Sequence, residues 1–163
     1  MSPLIKALAG TLVVLASPTI TRAQGVVSER NISTPLARAI ADAAMECSAN
    51  GVGLAVAVVD RNGQVRVWIR GDASLPHGFD LARRKAYTAR TFRMTSLEWA
   101  KRTETTLQGQ RMLADAIPLG GGVPIKIGDE TIGGVGVSGT SGGQEGDESC
   151  AKAAIAKVAD QLK

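Results

Sequence analysis

Gly120-Gly121-Gly122-Val123-Pro124-Ile125-Lys126-Ile127-Gly128-Asp129-Glu130-Thr131-Ile132-Gly133-Gly134-Val135-Gly136-Val137-Ser138-Gly139 decides the fold. Two β-branched runs, residues 123–127 and 131–138, stand on either side of a Gly128-Asp129 turn, the pattern of an antiparallel hairpin. The second run carries Gly133, Gly134 and Gly136. Glycines inside a strand remove side chains where a helix, another backbone or a ligand comes close. The hairpin therefore predicts a sheet with one face pressed against something.

Working outward, residues 54–59 form an apolar run, Asp60-Arg61-Asn62-Gly63 a turn, and residues 64–70 an alternating run with Val65, Val67 and Ile69 on one face. This is a second hairpin. Ser33-Thr34-Pro35 supplies a capping side chain and an early proline, and Leu36, Ile40, Ala43, Ala44 and Cys47 follow at helical spacing until Asn50-Gly51. Residues 71–78 read as a loop containing Pro76-His77, followed by a helix over 79–93 with a narrow stripe of Phe79, Ala82, Ala86 and Ala89. Thr95-Ser96-Leu97-Glu98 reads as a capping box that opens another helix carrying Trp99. Residues 141–143 read as loop, and residues 147–162 as a closing helix. The order α-ββ-αα-ββ-α predicts an α+β domain: an antiparallel sheet flanked by helices.

Residues 1–23 read as a secretory signal, with Lys6 before an apolar core and a Ser17-Pro18 break before Thr21-Arg22-Ala23. The core is far shorter than the roughly 20 residues of a spanning helix. Residues 24–33 then form a short polar lead, and residues 34–163 one domain. The expected location is periplasmic or secreted, with no membrane insertion after cleavage. Loss of Lys6 and Arg22 lowers the formal net charge from +4 to +2. That weak charge, export and scarce aromatics exclude nucleic acid as a partner. Cys47 and Cys150 are the two cysteines. An oxidising compartment favours a disulfide between them; two buried free thiols are the alternative.

No catalytic constellation is visible. Gly134-Val135-Gly136-Val137-Ser138-Gly139 fits G-x-G-x-x-G, but the glycines lie within the strand and no helix opens after them, as a dinucleotide site requires. His77 is the sole histidine, which excludes multi-histidine metal sites within one chain. By its residue type alone it is an ordinary loop residue. Arg83, Arg84, Lys85, Arg90, Arg93, Lys101 and Arg102 face only Glu98 between residues 83 and 102. Such a run is a solvated helix face or a carboxylate-binding surface. Tyr87, Met94 and Met112 are residue types that can ligate a metal, but packing roles account for them more simply. Asp147 and Glu148 read as acids complementing the dipole at the start of the last helix.

Together with Arg83-Arg84-Lys85-Ala86-Tyr87-Thr88-Ala89, the glycine-rich hairpin resembles the GlcG/HbpS family, the haem-degrading-like or DUF336 domain, in its exported subgroup. The resemblance spans about residues 36–162. It implies a profilin- or PAS-like sheet fold, homo-oligomers, and haem or a related tetrapyrrole as ligand, used in sensing, storage or redox signalling. It admits a membrane sensor as signalling partner. It also implies His77 as an axial ligand to haem iron and Arg83 or Arg84 as propionate partners, with no other metal. Two alternatives accompany it: a non-haem oligomeric sensory or scaffold module, and a small enzyme acting on an organic acid such as glycolate, with Arg83 or Arg84 clamping the carboxylate. On this reading binding is expected ahead of catalysis.

Overall fold

The computed structural model describes residues 25–48 and 51–163. The expected signal, residues 1–23, lies outside the described residues, as does Asn50 of the first helix stop. Within them the elements run α1 (Thr34–Met45), β1 (Ala55–Asp60), β2 (Val65–Arg70), α2 (Gly78–Phe92), α3 (Ser96–Thr105), β3 (Gly122–Ile127), β4 (Glu130–Ser138) and α4 (Gly143–Lys157). Short 3₁₀ turns occupy Gln108–Met112 and Ala159–Gln161. The four strands form one antiparallel sheet in the order β2-β1-β4-β3.

Local chemistry explains the boundaries. Ser33 Oγ accepts from Leu36 N at 3.3 Å, with proline in the first turn of α1. The predicted capping box opens α3: Thr95 Oγ1 accepts from Glu98 N at 3.2 Å, and Glu98 Oε2 accepts from Thr95 N at 2.8 Å. In the β1-β2 turn, buried Asp60 accepts from Asn62 N at 2.8 Å and Gln64 N at 3.0 Å. Its second oxygen takes Arg66 Nε at 3.0 Å, so no lone buried charge remains.

The two faces of the sheet differ. One packs α1 and α4 over a conventional core of Ile40, Ala44, Val56, Val58, Val135, Val137, Ala151 and Ala154. The other packs α2, through Ala82, over Ala55 and Ala57. Here the strand glycines act as expected. A Cβ on Gly134 would sit 2.5 Å from the Ala86 carbonyl oxygen, and one on Gly136 would overlap the Ala82 carbonyl and stand 2.7 Å from Ala86 N. The helix backbone thus lies directly on the strand backbone. Gly136→Ala is expected to destabilise by at least the 1–3 kcal/mol or so typical of overpacking, because backbone cannot change rotamer. An unfolding free energy from urea titration within about 0.5 kcal/mol of wild type would show that the helix has slack.

The structure departs from expectation at α4. It begins at Gly143, four residues before the predicted start at Asp147, and gives way to the 3₁₀ turn after Lys157. Cys47 and Cys150 stand within disulfide distance, with Cα atoms 5.8 Å apart, joining the end of α1 to α4. Among the described residues no helix is long and apolar enough to cross a membrane.

Candidate functional site

The site is assembled where the start of α2 meets the ends of β1 and β4. The loop before α2 is held by three backbone bonds: Ala73 N to Val52 O at 2.7 Å, Ser74 N to Gly71 O at 3.0 Å, and Gly78 N to Leu75 O at 2.9 Å. His77 is the N-cap of α2, exposed, and its side chain makes no cap bond. The ring is thereby left free to take a ligand. Beside it lies a pocket of about 260 Å³ lined by Gly53, Ser74, Gly78, Ser138 and Gly139 among others. Ser138 reaches it because register places Ser138 opposite Ala55, on the face that α2 covers. Ser74 is only 5% exposed, and its hydroxyl is buried without a hydrogen-bond partner. Such an orphaned group carries a desolvation cost that a ligand or water would relieve.

The surroundings are apolar on one side and cationic on the other. Leu75 is 62% exposed, and Trp68, 43% exposed, packs on Phe79 with ring centroids 4.0 Å apart. Trp68 lies over α2 because it pairs with Ala57 across the ladder. Arg70 Nη2 donates to Ser74 O at 3.1 Å, and no carboxylate pairs with Arg70 among the described residues. Imidazole, hydroxyl, guanidinium and an exposed apolar rim therefore converge within one small region. Of these, only His77 was singled out in the sequence. Trp68, Arg70, Ser74 and Ser138 come from a strand, a loop and a distant strand, which no spacing connects.

Arg83 and Arg84 lie farther along α2. Arg84 follows His77 by seven residues, two helical turns or about 10 Å along the same face, whereas Arg83 is rotated about a third of a turn away. Arg83 donates to Asp115 at 2.9 Å and to Asp80 at 3.0 Å. Burial opposes its charge, but these two carboxylates outweigh that and raise its pKa. Arg84 Nη2 donates to Ala116 O at 2.8 Å, and Asp80 stands 3.8 Å from its Nη1. Both guanidiniums thus tie α2 to neighbouring groups of the fold.

Lys85 does not belong to a solvated basic face. Its side chain is 3% exposed, and Nζ donates to Asp147 Oδ2 at 2.7 Å and to Val137 O at 3.1 Å. Asp147 Oδ1 in turn accepts from Thr140 N at 2.9 Å and Thr140 Oγ1 at 2.8 Å. Asp147 is therefore not simply an acid at a helix start. It sits one turn inside α4 and locks that helix to α2 across the end of β4. Met112 is 87% exposed and fills no core gap. Tyr87 packs its ring against Gly63, away from the His77 end. No group of three metal-ligating side chains occurs among the described residues.

The fold is α+β, one antiparallel sheet between two helical layers, with a pocket at the N-terminal end of α2. Residues 32–156 match the family described as haem degrading protein HbpS-like. HbpS of Streptomyces reticuli, solved as a double mutant, shares 32% identity over 88% of this chain and 98% of its own, with a TM-score of 0.79. Klebsiella pneumoniae ORFY, a DUF336 protein, shares 25% over 83% and 96%, TM-score 0.74. A PduOC:heme complex shares 26% over 78% and 94%, TM-score 0.69. Comparison with curated proteins found no significant match. The chain belongs to the HbpS-like family.

Proposed function

We propose that the protein is an exported haem-binding protein in which His77 ligates the iron. The observation that carries this reading is the sole histidine, free at the head of α2, beside an exposed apolar rim and a pocket with an orphaned hydroxyl. A family relative solved with heme supports the choice of ligand. The pocket, at about 260 Å³, is too small for a whole macrocycle. Leu75, Phe79 and Trp68 would therefore supply the apolar surface that holds the porphyrin, and Ser74 and Ser138 the polar groups beside it. Arg70, which donates to Ser74 O, would take a propionate, and Arg84 lies on the same helix face as His77. Bound haem would supply redox chemistry at iron, while the chain supplies ligand and environment. Homo-oligomer formation belongs to the same reading, and edge strand β2, with Val65 more than a third exposed, offers surface for it.

Titration of the mature protein with hemin should give a saturable Soret band at one haem per chain, with micromolar or tighter affinity. His77→Ala should shift the Soret maximum and weaken binding. Arg70→Ala and Arg84→Ala should each weaken it about 10- to 100-fold, as expected for a charged hydrogen bond. Absence of any band overturns the function. An unchanged spectrum in His77→Ala overturns the ligand and leaves haem binding standing.

A further inference from the structure

The opposite end of α2 carries a second cavity, about 190 Å³, between the Arg61-Asn62-Gly63 turn and Tyr87, Arg90 and Thr91. Arg90 follows His77 by thirteen residues, about 20 Å of helix rise, so this cavity is separate from the haem site. Arg90 lies over the glycine face of β4, its Cβ 3.2 Å from where a Cβ on Gly134 would stand. That close fit half-buries its guanidinium. Its Nε is shielded from solvent and has no hydrogen-bond partner.

The charge around it is mixed, with cations in excess. Arg61 is held by Glu29 at 3.2 Å and Glu130 at 2.5 Å, and Arg30 by Glu130 at 2.7 Å. Arg66 is paired with Asp60 at 3.0 Å. Arg90 and Arg93 have no carboxylate partner among the described residues, so two positive charges are left over at this end. Burial, then Arg61 and Arg93, lower the Arg90 pKa, against Asp60 and Glu29, which act to raise it. An arginine starts so high that it stays charged at neutral pH. The wall also offers neutral donors: the Tyr87 and Thr91 hydroxyls and the Asn62 amide. A half-buried guanidinium that lines a cavity and lacks a carboxylate partner is suited to the oxygens of one anion.

We propose that this cavity binds a small oxyanion, carboxylate or phosphate, on the Arg90 fork. Its volume admits a free ion or the anionic head of a small metabolite. The test is amide NMR of the full mature chain titrated with sodium phosphate or sodium acetate, against chloride at matched ionic strength. At least one oxyanion should give saturable shifts centred on Asn62, Gly63 and residues 87–91, and chloride should not. Saturation by phosphate alone assigns a phosphoryl ligand, and by acetate alone a carboxylate. Arg90→Met, which keeps the stem packed on Gly134, should lower affinity at least tenfold. Arg90→Lys keeps the charge but loses the fork. It should lower affinity at least threefold, and it carries the test if Arg90→Met does not fold. Failure of both anions to saturate wild type, or unchanged affinity in the folded Arg90 variants, overturns the proposal.

Discussion

Lys85→Met should unfold far more readily than wild type, losing about 3–5 kcal/mol in a urea titration, because it strands the Asp147 carboxylate inside the protein. Asp147 is 4% exposed and has one cationic partner, 2.7 Å away. Thr140 satisfies one of its oxygens through two hydrogen bonds. The other would face an apolar thioether. The cost is that of an uncompensated charge rather than the net worth of the pair, and a second substitution separates the two. Lys85→Met with Asp147→Leu should recover much of the loss, since apolar replacements of buried ion pairs are often neutral. A single-variant loss below about 1 kcal/mol would mean that water reaches Asp147 and that the pair is not sealed.

Removing the Cys47–Cys150 link should cost nearly as much. The two residues are 103 apart in sequence, and the chain-entropy treatment of a loop of about 100 residues gives about 4–5 kcal/mol, an upper figure. The exposed Lys157–Glu46 ion pair joins the same two helices, but exposed pairs contribute about 1 kcal/mol or less and cannot replace the bridge. Cys47→Ser with Cys150→Ser should lower the melting temperature, and a reducing agent should lower that of wild type but not of the variant. Thiol counting on denatured, unreduced protein should find no free thiol. Two thiols per chain would refute the bridge.

Most of the fold was legible because its signals are local. Alternation over residues 64–70, the Asp60 and Gly128 turns, the Ser33 cap and the Thr95 capping box each depend on neighbours a few positions away. The start of α4 was not legible for the same reason. Gly142, Gly143 and Gly146 are poor helix formers, and their propensity argues for loop. The Lys85–Asp147 lock and the packing of Ala151 and Ala154 against the sheet override it. Lys85 itself left a trace in the sequence. It shares the buried face with Ala82, Ala86 and Ala89, so a lysine within a small-residue stripe already called for an acid elsewhere. The charge run around it hid that. The site was less legible still: only the family resemblance marked His77, which by residue type alone is an ordinary loop residue, whereas Ser74, Arg70 and Ser138 acquire meaning only once β1, β2 and β4 are laid side by side.

The bare contact between α2 and β4 has a bearing on how this sequence can change. On the α1/α4 side, a methyl lost from Val56 can be made up by a larger neighbour, so drift there can be repaired one substitution at a time. On the α2 side, the atoms facing Gly134 and Gly136 include the Ala82 and Ala86 carbonyl oxygens and the Ala86 amide nitrogen. Those atoms are present whatever side chains the helix carries. No second-site change in α2 can make room for a methyl on Gly136. One half of the molecule can therefore wander in composition while the other is held to its letters, and the held half is the one that carries both ends of α2.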